Sequence, residues 1–286
     1  MITREEEEYV LRRAYVPEHI VGLMVLVSKA EPFLIGDCLC YLKDDWLILI
    51  GYPLKGEFSM DRFGVLVDQA IERFKPRSVR MAAPDIPGRY LKPSREIERD
   101  MYYRLDLERF NPRARLMREV RKAAECLRVD RTSHFTEHHR AIVKEFIERG
   151  NLPSRVEQLY LSMEDYTSQS NTAVLLDARD GKGRLSAFYV VELAATKFAA
   201  YIVGCHSKQN YASHASDLLF DEMVRMARES GKSYIELGLR VNDGIGRFKE
   251  KWGGRPYLKY TFCDYRAQPT NVARSFASVF DALKKL

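Results

Sequence analysis

The chain has 286 residues, 46% of them hydrophobic and 30% charged, which supports a real core in one large domain or in two of about 140 residues each. No stretch approaches the roughly 20 apolar residues of a membrane span, and Met1-Ile2-Thr3-Arg4 followed by Glu5 to Glu8 is the opposite of a signal or transit peptide, so a cytoplasmic protein is expected. Five scattered cysteines argue against a disulfide framework, and a net charge of +6 permits an anionic partner.

In chain order, Phe33 to Leu42 reads as a strand, Lys43-Asp44-Asp45 as a tight turn and Trp46 to Tyr52 as a second apolar strand. Ser59 caps a predicted helix running to Phe74, with Phe63, Leu66, Val67, Ala70, Ile71 and Phe74 inward, and Pro76 ends it. Short strands follow at Ser78 to Ala83 and Met101 to Leu107. Asn111-Pro112 has the form of a helix start, Asn as N-cap and Pro at the first helical position. That helix puts Leu116, Val120, Ala123, Ala124 and Leu127 on one side and Arg115, Arg118, Arg121 and Lys122 on the other. Further helices are predicted over Thr136 to Arg149 and Val156 to Tyr166. Strands follow over Thr172 to Asp177, Leu185 to Leu193 and Phe198 to Cys205.

The stretch from Ala212 to Tyr265 organises the rest. A helix to Glu229 carries Ala215, Leu219, Met223 and Ala227 on one face, with Asp217, Asp221, Arg225 and Arg228 mostly off it. Gly231 stops the helix, and Tyr234 to Leu239 alternates as a strand. Asn242-Asp243-Gly244 breaks the strand, and Ile245, Phe248 and Trp252 stripe a short helix closed by Gly253-Gly254. Tyr257 to Tyr265 is extended again, and Thr270 to Leu286 forms an amphipathic helix.

Tyr234-Ile-Glu-Leu-Gly, a turn, then Gly246-Arg-Phe-Lys-Glu-Lys-Trp-Gly-Gly254 resembles the FemAB-like acyltransferases of the GNAT superfamily. There a "YDFGG"-like strand precedes a "yrFKkgFGG"-like segment. The match is good at Phe248, Lys249, Gly253 and Gly254 and looser in the strand, where Glu236 and Leu237 stand for Asp and Phe. The resemblance implies an α/β (α+β) tandem GNAT-like fold, mixed sheets with helices on both faces. A weak internal repeat agrees with it: Ile50-Gly51 precedes Lys55 as Val203-Gly204 precedes Lys208, each before a helix and a parallel strand. Two halves are expected, 1–110 and 111–286, the second carrying the terminal helix.

The resemblance assigns Lys249 a role toward the donor or the transition state, where a cation stabilises the oxyanion of acyl transfer. Glu236, on the strand face opposite Ile235 and Leu237, is the candidate general base, with Glu192 a weaker one and Tyr257 and Tyr260 as possible proton donors. Lys208, Gln209, Asn210 and His214 fall in the loop that receives donor phosphates in GNAT folds. Acetyl-CoA-using members carry Arg/Gln-x-x-Gly-x-Gly/Ala there. Here Ala212 and His214 replace the two small residues, which disfavours a CoA diphosphate.

His134, His138 and His139 open a helix without a metal-ligand signature, so surface positions and no metal are expected. Cys205 and His206, as strand neighbours, point to opposite faces and do not form a dyad. The Arg118 and Arg121 face is either a solvated outer face or a contact for a nucleic-acid backbone, a phosphorylated sugar or acidic lipid headgroups. The expected function is acyl or aminoacyl transfer to an amine, with aminoacyl-tRNA favoured over acyl-CoA as donor and no other cofactor implied. The alternatives are an acetyl-CoA-dependent N-acetyltransferase and a catalytically silent binding module.

Overall fold

The computed structural model describes residues 1–150 and 152–267, so the amphipathic helix expected over Thr270 to Leu286 lies outside the described residues. In chain order the helices and strands begin with α1 (Arg4–Arg13), α2 (Val21–Ser28), β1 (Glu31–Ile35), β2 (Cys38–Lys43), β3 (Trp46–Ile50), α3 (Met60–Phe74), β4 (Ser78–Ala83), α4 (Gly88–Leu91) and β5 (Glu96–Asp106). They continue with α5 (Ala114–Cys126), β6 (Leu127–Thr132), α6 (Glu137–Gly150), α7 (Ser154–Leu161), α8 (Met163–Gln169), β7 (Ala173–Asp180), β8 (Leu185–Glu192) and β9 (Phe198–His206). The last are α9 (Ala215–Glu229), β10 (Tyr234–Leu239), α10 (Asp243–Lys251) and β11 (Arg255–Arg266). Among the described residues, no helix is long and apolar enough to cross a membrane.

Two compact units emerge, and neither is continuous in sequence. The first joins Met1–Ala30 to Asp100–Lys259, and the second joins Glu31–Arg99 to the described residues from Tyr260 to Ala267. These units differ from a division into 1–110 and 111–286. The cause is the opening segment. Ala14, Ile20 and Leu23 are buried with Met163, Tyr166 and Phe198 in one core, far along the chain, rather than beside the strands that follow them.

In the first unit the strand order is β5-β10-β9-β8-β7-β6, with β9 and β10 parallel and the other pairs antiparallel. Helices cover both faces. Leu116 and Val120 of α5 pack with Leu219, Met223 and Ala227 of α9 on one side, while Ile142 and Val143 of α6 and Met163 and Tyr166 of α8 pack on the other. The α5 stripe is as expected except at Ala124, which is exposed, and the helix starts at Ala114 rather than at Pro112. Arg113 is extended at the N-cap and no side chain caps the helix, so Asn111 and Pro112 stay in the preceding loop.

In the second unit β1 to β4 and β11 run in that order. The single strand expected over Phe33 to Leu42 is a hairpin, because Gly36 takes φ +55° and lets Ile35 pair directly with Cys38. Residues β3 and β4 are parallel and joined by α3, whose Ser59 N-cap oxygen accepts from the Arg62 amide. Phe63, Val67 and Ala70 of α3 close a core with Leu47, Leu49, Val79 and Met81.

Candidate active site

The first unit's crossover opens where the second unit's does not. β9 and β10 pair only at Tyr234↔Phe198, Ile235↔Ala199 and Glu236↔Ala200. Beyond that point one irregularity in each strand drives them apart. On β9 the register to β8 slips between Val203 and Tyr201, making Ile202 the extra residue. On β10 the register to β5 slips between Glu236 and Leu239, and Gly238 there takes φ +72°, a conformation that favours glycine.

Glu236 and Lys249 hold the bulge on β10. Both Glu236 carboxylate oxygens accept from the Gly238 amide at 3.0 Å, and Lys249 Nζ donates to the Leu239 carbonyl. Glu236 is fully buried and Lys249 is 4% exposed, so the solvated lysine that its short helix alone would suggest is not what the fold builds. Burial pushes the Glu236 carboxyl up and the Lys249 ammonium down, and each partner's opposite charge resists the shift of the other. Lys249 also faces the Tyr103 ring, 5.8 Å from its centroid.

Sequence reasoning missed a second carboxylate in this cluster. Glu18 accepts from Tyr102 Oη at 2.7 Å, and burial raises its pKa. Its charge in turn helps to raise that of Glu236. Nothing in the sequence around Glu18 signals this, because the contact joins residues 84 apart. The candidate proton donor Tyr257 gives its hydroxyl to the Tyr15 carbonyl at 2.7 Å. Glu192 is fully buried, accepts from Tyr166 and from the Leu193 and Ala194 amides, and therefore anchors a turn rather than serving chemistry.

Past the bulges, groups from β9, β10 and α10 lie close together. A Cβ at Gly238 would lie 3.9 Å from Lys249 Nζ and 4.0 Å from the Tyr201 carbonyl oxygen. Among the described residues no strand pairs with this edge of β9 beyond Ala200. An ammonium group and unpaired strand edge thus face a gap between diverging strands. That arrangement can orient and polarise a carbonyl.

Asp100 shapes the exit from β10. Its carboxylate accepts from the Arg240 amide at 3.1 Å and the Val241 amide at 2.8 Å. Val241 is thereby held at φ +62°, a costly conformation for a β-branched residue. Asn242 then caps α10, its Oδ1 accepting from the Ile245 amide at 3.0 Å, and α10 carries Lys249 back under the bulge.

The β9–α9 loop is built differently from a phosphate cradle. Asn210 braces it, donating to Ser186 Oγ at 2.9 Å and to the Arg184 carbonyl at 3.2 Å. The Lys208 amide donates to Glu145, and the side chains of Lys208 and Gln209 are exposed. His214 sits at the α9 N-cap with φ +62°, its Nδ1 3.0 Å from Asp217 Oδ2 and 3.7 Å from Glu119. Asp217, expected off the packed face, is 4% exposed. Its other oxygen accepts from Trp252 Nε1 at 2.9 Å and pairs with Lys251 at 2.5 Å. The start of α9 thus already holds His214 and a carboxylate paired with Lys251, where a phosphate cradle would present bare backbone amides.

The remaining assignments divide. Arg118 and Arg121 are exposed on α5, and no contact brings them to Lys249's cluster. His139 is buried, not at the surface: its Nε2 lies 2.8 Å from Asp177 Oδ1, whose other oxygen pairs with Arg179 at 2.6 Å. Cys205 is buried and His206 exposed, as strand alternation requires, and burial pushes the Cys205 thiol well up.

No family model and no curated relative matches the sequence. Solved structures do match over nearly the whole chain. The L-PGS structure from Bacillus licheniformis is 16% identical, covers 97% of this chain and 96% of its own, and superposes with a TM-score of 0.56. A tandem GNAT protein from the clavulanic acid biosynthesis pathway is 14% identical over 93% of this chain and 95% of its own, TM-score 0.57. FemX is 12% identical over 91% of this chain and 96% of its own, TM-score 0.60. At such identities the likeness shows the fold, and that fold is the mixed α/β, tandem GNAT-like one.

Proposed function

We propose that this chain is an N-acyl or aminoacyl transferase that moves its group from an activated donor to an amine, with aminoacyl-tRNA preferred to acyl-CoA. The observation that carries the reading is the convergence of Lys249 Nζ, Gly238 and the Tyr201 carbonyl where β9 and β10 part. A donor carbonyl lying in that gap would direct its oxygen toward Lys249. One Lys249 N–H is engaged by Leu239, and an ammonium has two more to offer. As the amine nitrogen forms its bond to the carbonyl carbon, negative charge collects on the oxygen beside this cation. The donor's ester C–O bond then breaks. The amine's proton passes to Glu236, whose raised pKa suits a base near neutral pH, and on to the leaving hydroxyl.

The donor preference rests on Asp217. A CoA diphosphate at the start of α9 would meet that carboxylate and the His214 side chain, whereas an RNA donor need not enter there. A second reading, a silent binding module, draws support from the engagement of both Glu236 oxygens by Gly238. Incubation with labelled aminoacyl-tRNA and, separately, labelled acetyl-CoA, each with a panel of amines, distinguishes them. Transfer from the RNA donor that Lys249→Met abolishes is expected. Transfer from acetyl-CoA alone would reverse the donor assignment, and no transfer from either would favour the silent module.

A further inference from the structure

A cavity of about 220 Å³ lies within the first unit between the end of β5 and the end of α10. Five cations line it, Arg104, Arg109, Arg113, Lys251 and Arg255, against two carboxylates, Asp106 and Glu250. Those carboxylates are already engaged. Asp106 pairs with Arg104 at 2.8 Å, and Glu250 accepts from Tyr103 at 3.0 Å and from Arg240 at 3.3 Å. Lys251 is spent on Asp217. Among the described residues no carboxylate pairs with Arg109, Arg113 or Arg255, so three guanidinium groups surround a polar hollow without a counter-charge. The volume suits a phosphate with its attached sugar better than a bulky ligand.

Two continuities say what kind of phosphate. Arg113 is the N-cap of α5, whose exposed face carries Arg118, Arg121 and Lys122 within about 6 Å of helix rise at 1.5 Å per residue. On the other side, Glu250 lines the cavity and accepts from Tyr103 Oη at 3.0 Å, and the Tyr103 ring faces Lys249. Cations without a carboxylate partner among the described residues therefore run from the open face of α5 into the cavity, whose Glu250–Tyr103 wall borders the candidate catalytic ammonium. Successive charges at that spacing match a phosphodiester chain, because each phosphate neutralised releases condensed counterions.

The geometry points to this cavity as the seat for backbone phosphates in the single-stranded 3′ end of an RNA donor. The assignment rests on the functional reading above and adds where that donor is gripped. The duplex part of the donor lies along Arg118 and Arg121, and the unpaired end passes Arg109, Arg113 and Arg255 before its acyl group reaches the gap.

The test uses the full chain, a fluorescein-labelled single-stranded RNA 12-mer ending in CCA, and an intact tRNA, with binding read by anisotropy over a salt series. The double change Arg109→Gln/Arg255→Gln is expected to weaken the 12-mer at least tenfold and to lower its salt slope by about two phosphate contacts. Arg118→Gln/Arg121→Gln should weaken the tRNA and spare the 12-mer. Arg109→Lys/Arg255→Lys should restore much of the loss. Unchanged 12-mer binding by the Gln pair overturns the proposal. So does pyrophosphate, or vesicles rich in phosphatidylglycerol, binding through the same arginines as tightly as the RNA. Transfer from aminoacyl-tRNA that survives the Gln pair sinks the cavity assignment and leaves the function standing. Arginine-dependent RNA binding without any transfer supports the cavity and sinks the function.

Discussion

The chain makes the same strand–helix–strand crossover twice, and the two copies end differently. Between β3 and β4 all five residues from Trp46 to Ile50 have parallel partners, and the Gly51 amide extends the ladder to the Ala82 carbonyl at 2.7 Å. Between β9 and β10 the ladder stops after three pairs. The closed copy is zipped by close packing: a Cβ at Gly51 would lie 2.6 Å from both Ala83 and Phe63. The open copy is wedged by Ile202 and Gly238 and lined with charge. Among the described residues every buried Asp, Glu, His and Lys belongs to the first unit. Topology alone therefore does not part the two strands. One inserted residue per strand does, and the buried pair keeps them apart.

That comparison can be broken most sharply at Lys249. Replacing it with Met removes the counter-charge of buried Glu236 and the donor to Leu239, so chemical denaturation should show a loss of about 3 kcal/mol. Transfer per folded molecule should fall about 100-fold or more. The double change Glu236→Gln/Lys249→Met should regain part of the stability and none of the activity, and independent, additive losses would contradict the pairing. In the closed copy, Gly51→Ala should cost about 2 kcal/mol through overpacking. Its effect on transfer, measured below the melting range, should be nil, and a loss of activity there would mean that the closed crossover also serves the reaction.

A smaller effect concerns Glu18. Its folded pKa is raised above the unfolded value, so its contribution to stability is present at low pH and is lost as pH rises through the folded pKa. Glu18→Gln should therefore raise the melting temperature at pH 8 and change it little at pH 4. A gain at pH 4 and none at pH 8 would reverse the sign of the argument. The smallest change should follow Arg118→Gln/Arg121→Gln, with stability shifting by less than about 0.5 kcal/mol because both side chains are exposed. A larger shift in calorimetry would show that these arginines hold the fold together.

The strands and helices of the second crossover were legible because their apolar periods are strong: β10 spans Tyr234–Leu239 as the alternation predicts. The resemblance singled out Lys249, and its burial gives that choice a physical setting. What sequence could not show were the bulges, since an inserted residue leaves no mark in a six-residue alternation. Asp217 and His139 were misplaced for a related reason. A charged side chain on a helix reads as solvated unless its partner is known, and Lys251, Trp252 and Asp177 all lie more than 30 residues away. Asn111-Pro112 was misread as a cap because the pair satisfies a local rule, while the chain uses it to line the arginine-rich cavity.

The interleaving of the two units bears on how the chain is made. The N-terminal helices leave the ribosome long before their packing partners in α8 and β9, and β4 waits for β11, with Ser78 bonded to Asp264 across 186 residues. Neither unit can close until nearly all of the described chain has been synthesised. Apolar strands such as β2 and β3 must stay uncommitted meanwhile, a state that favours chaperone capture over folding during translation. Expression of either half by a cut near residue 110 would for the same reason give two fragments, each lacking part of both cores.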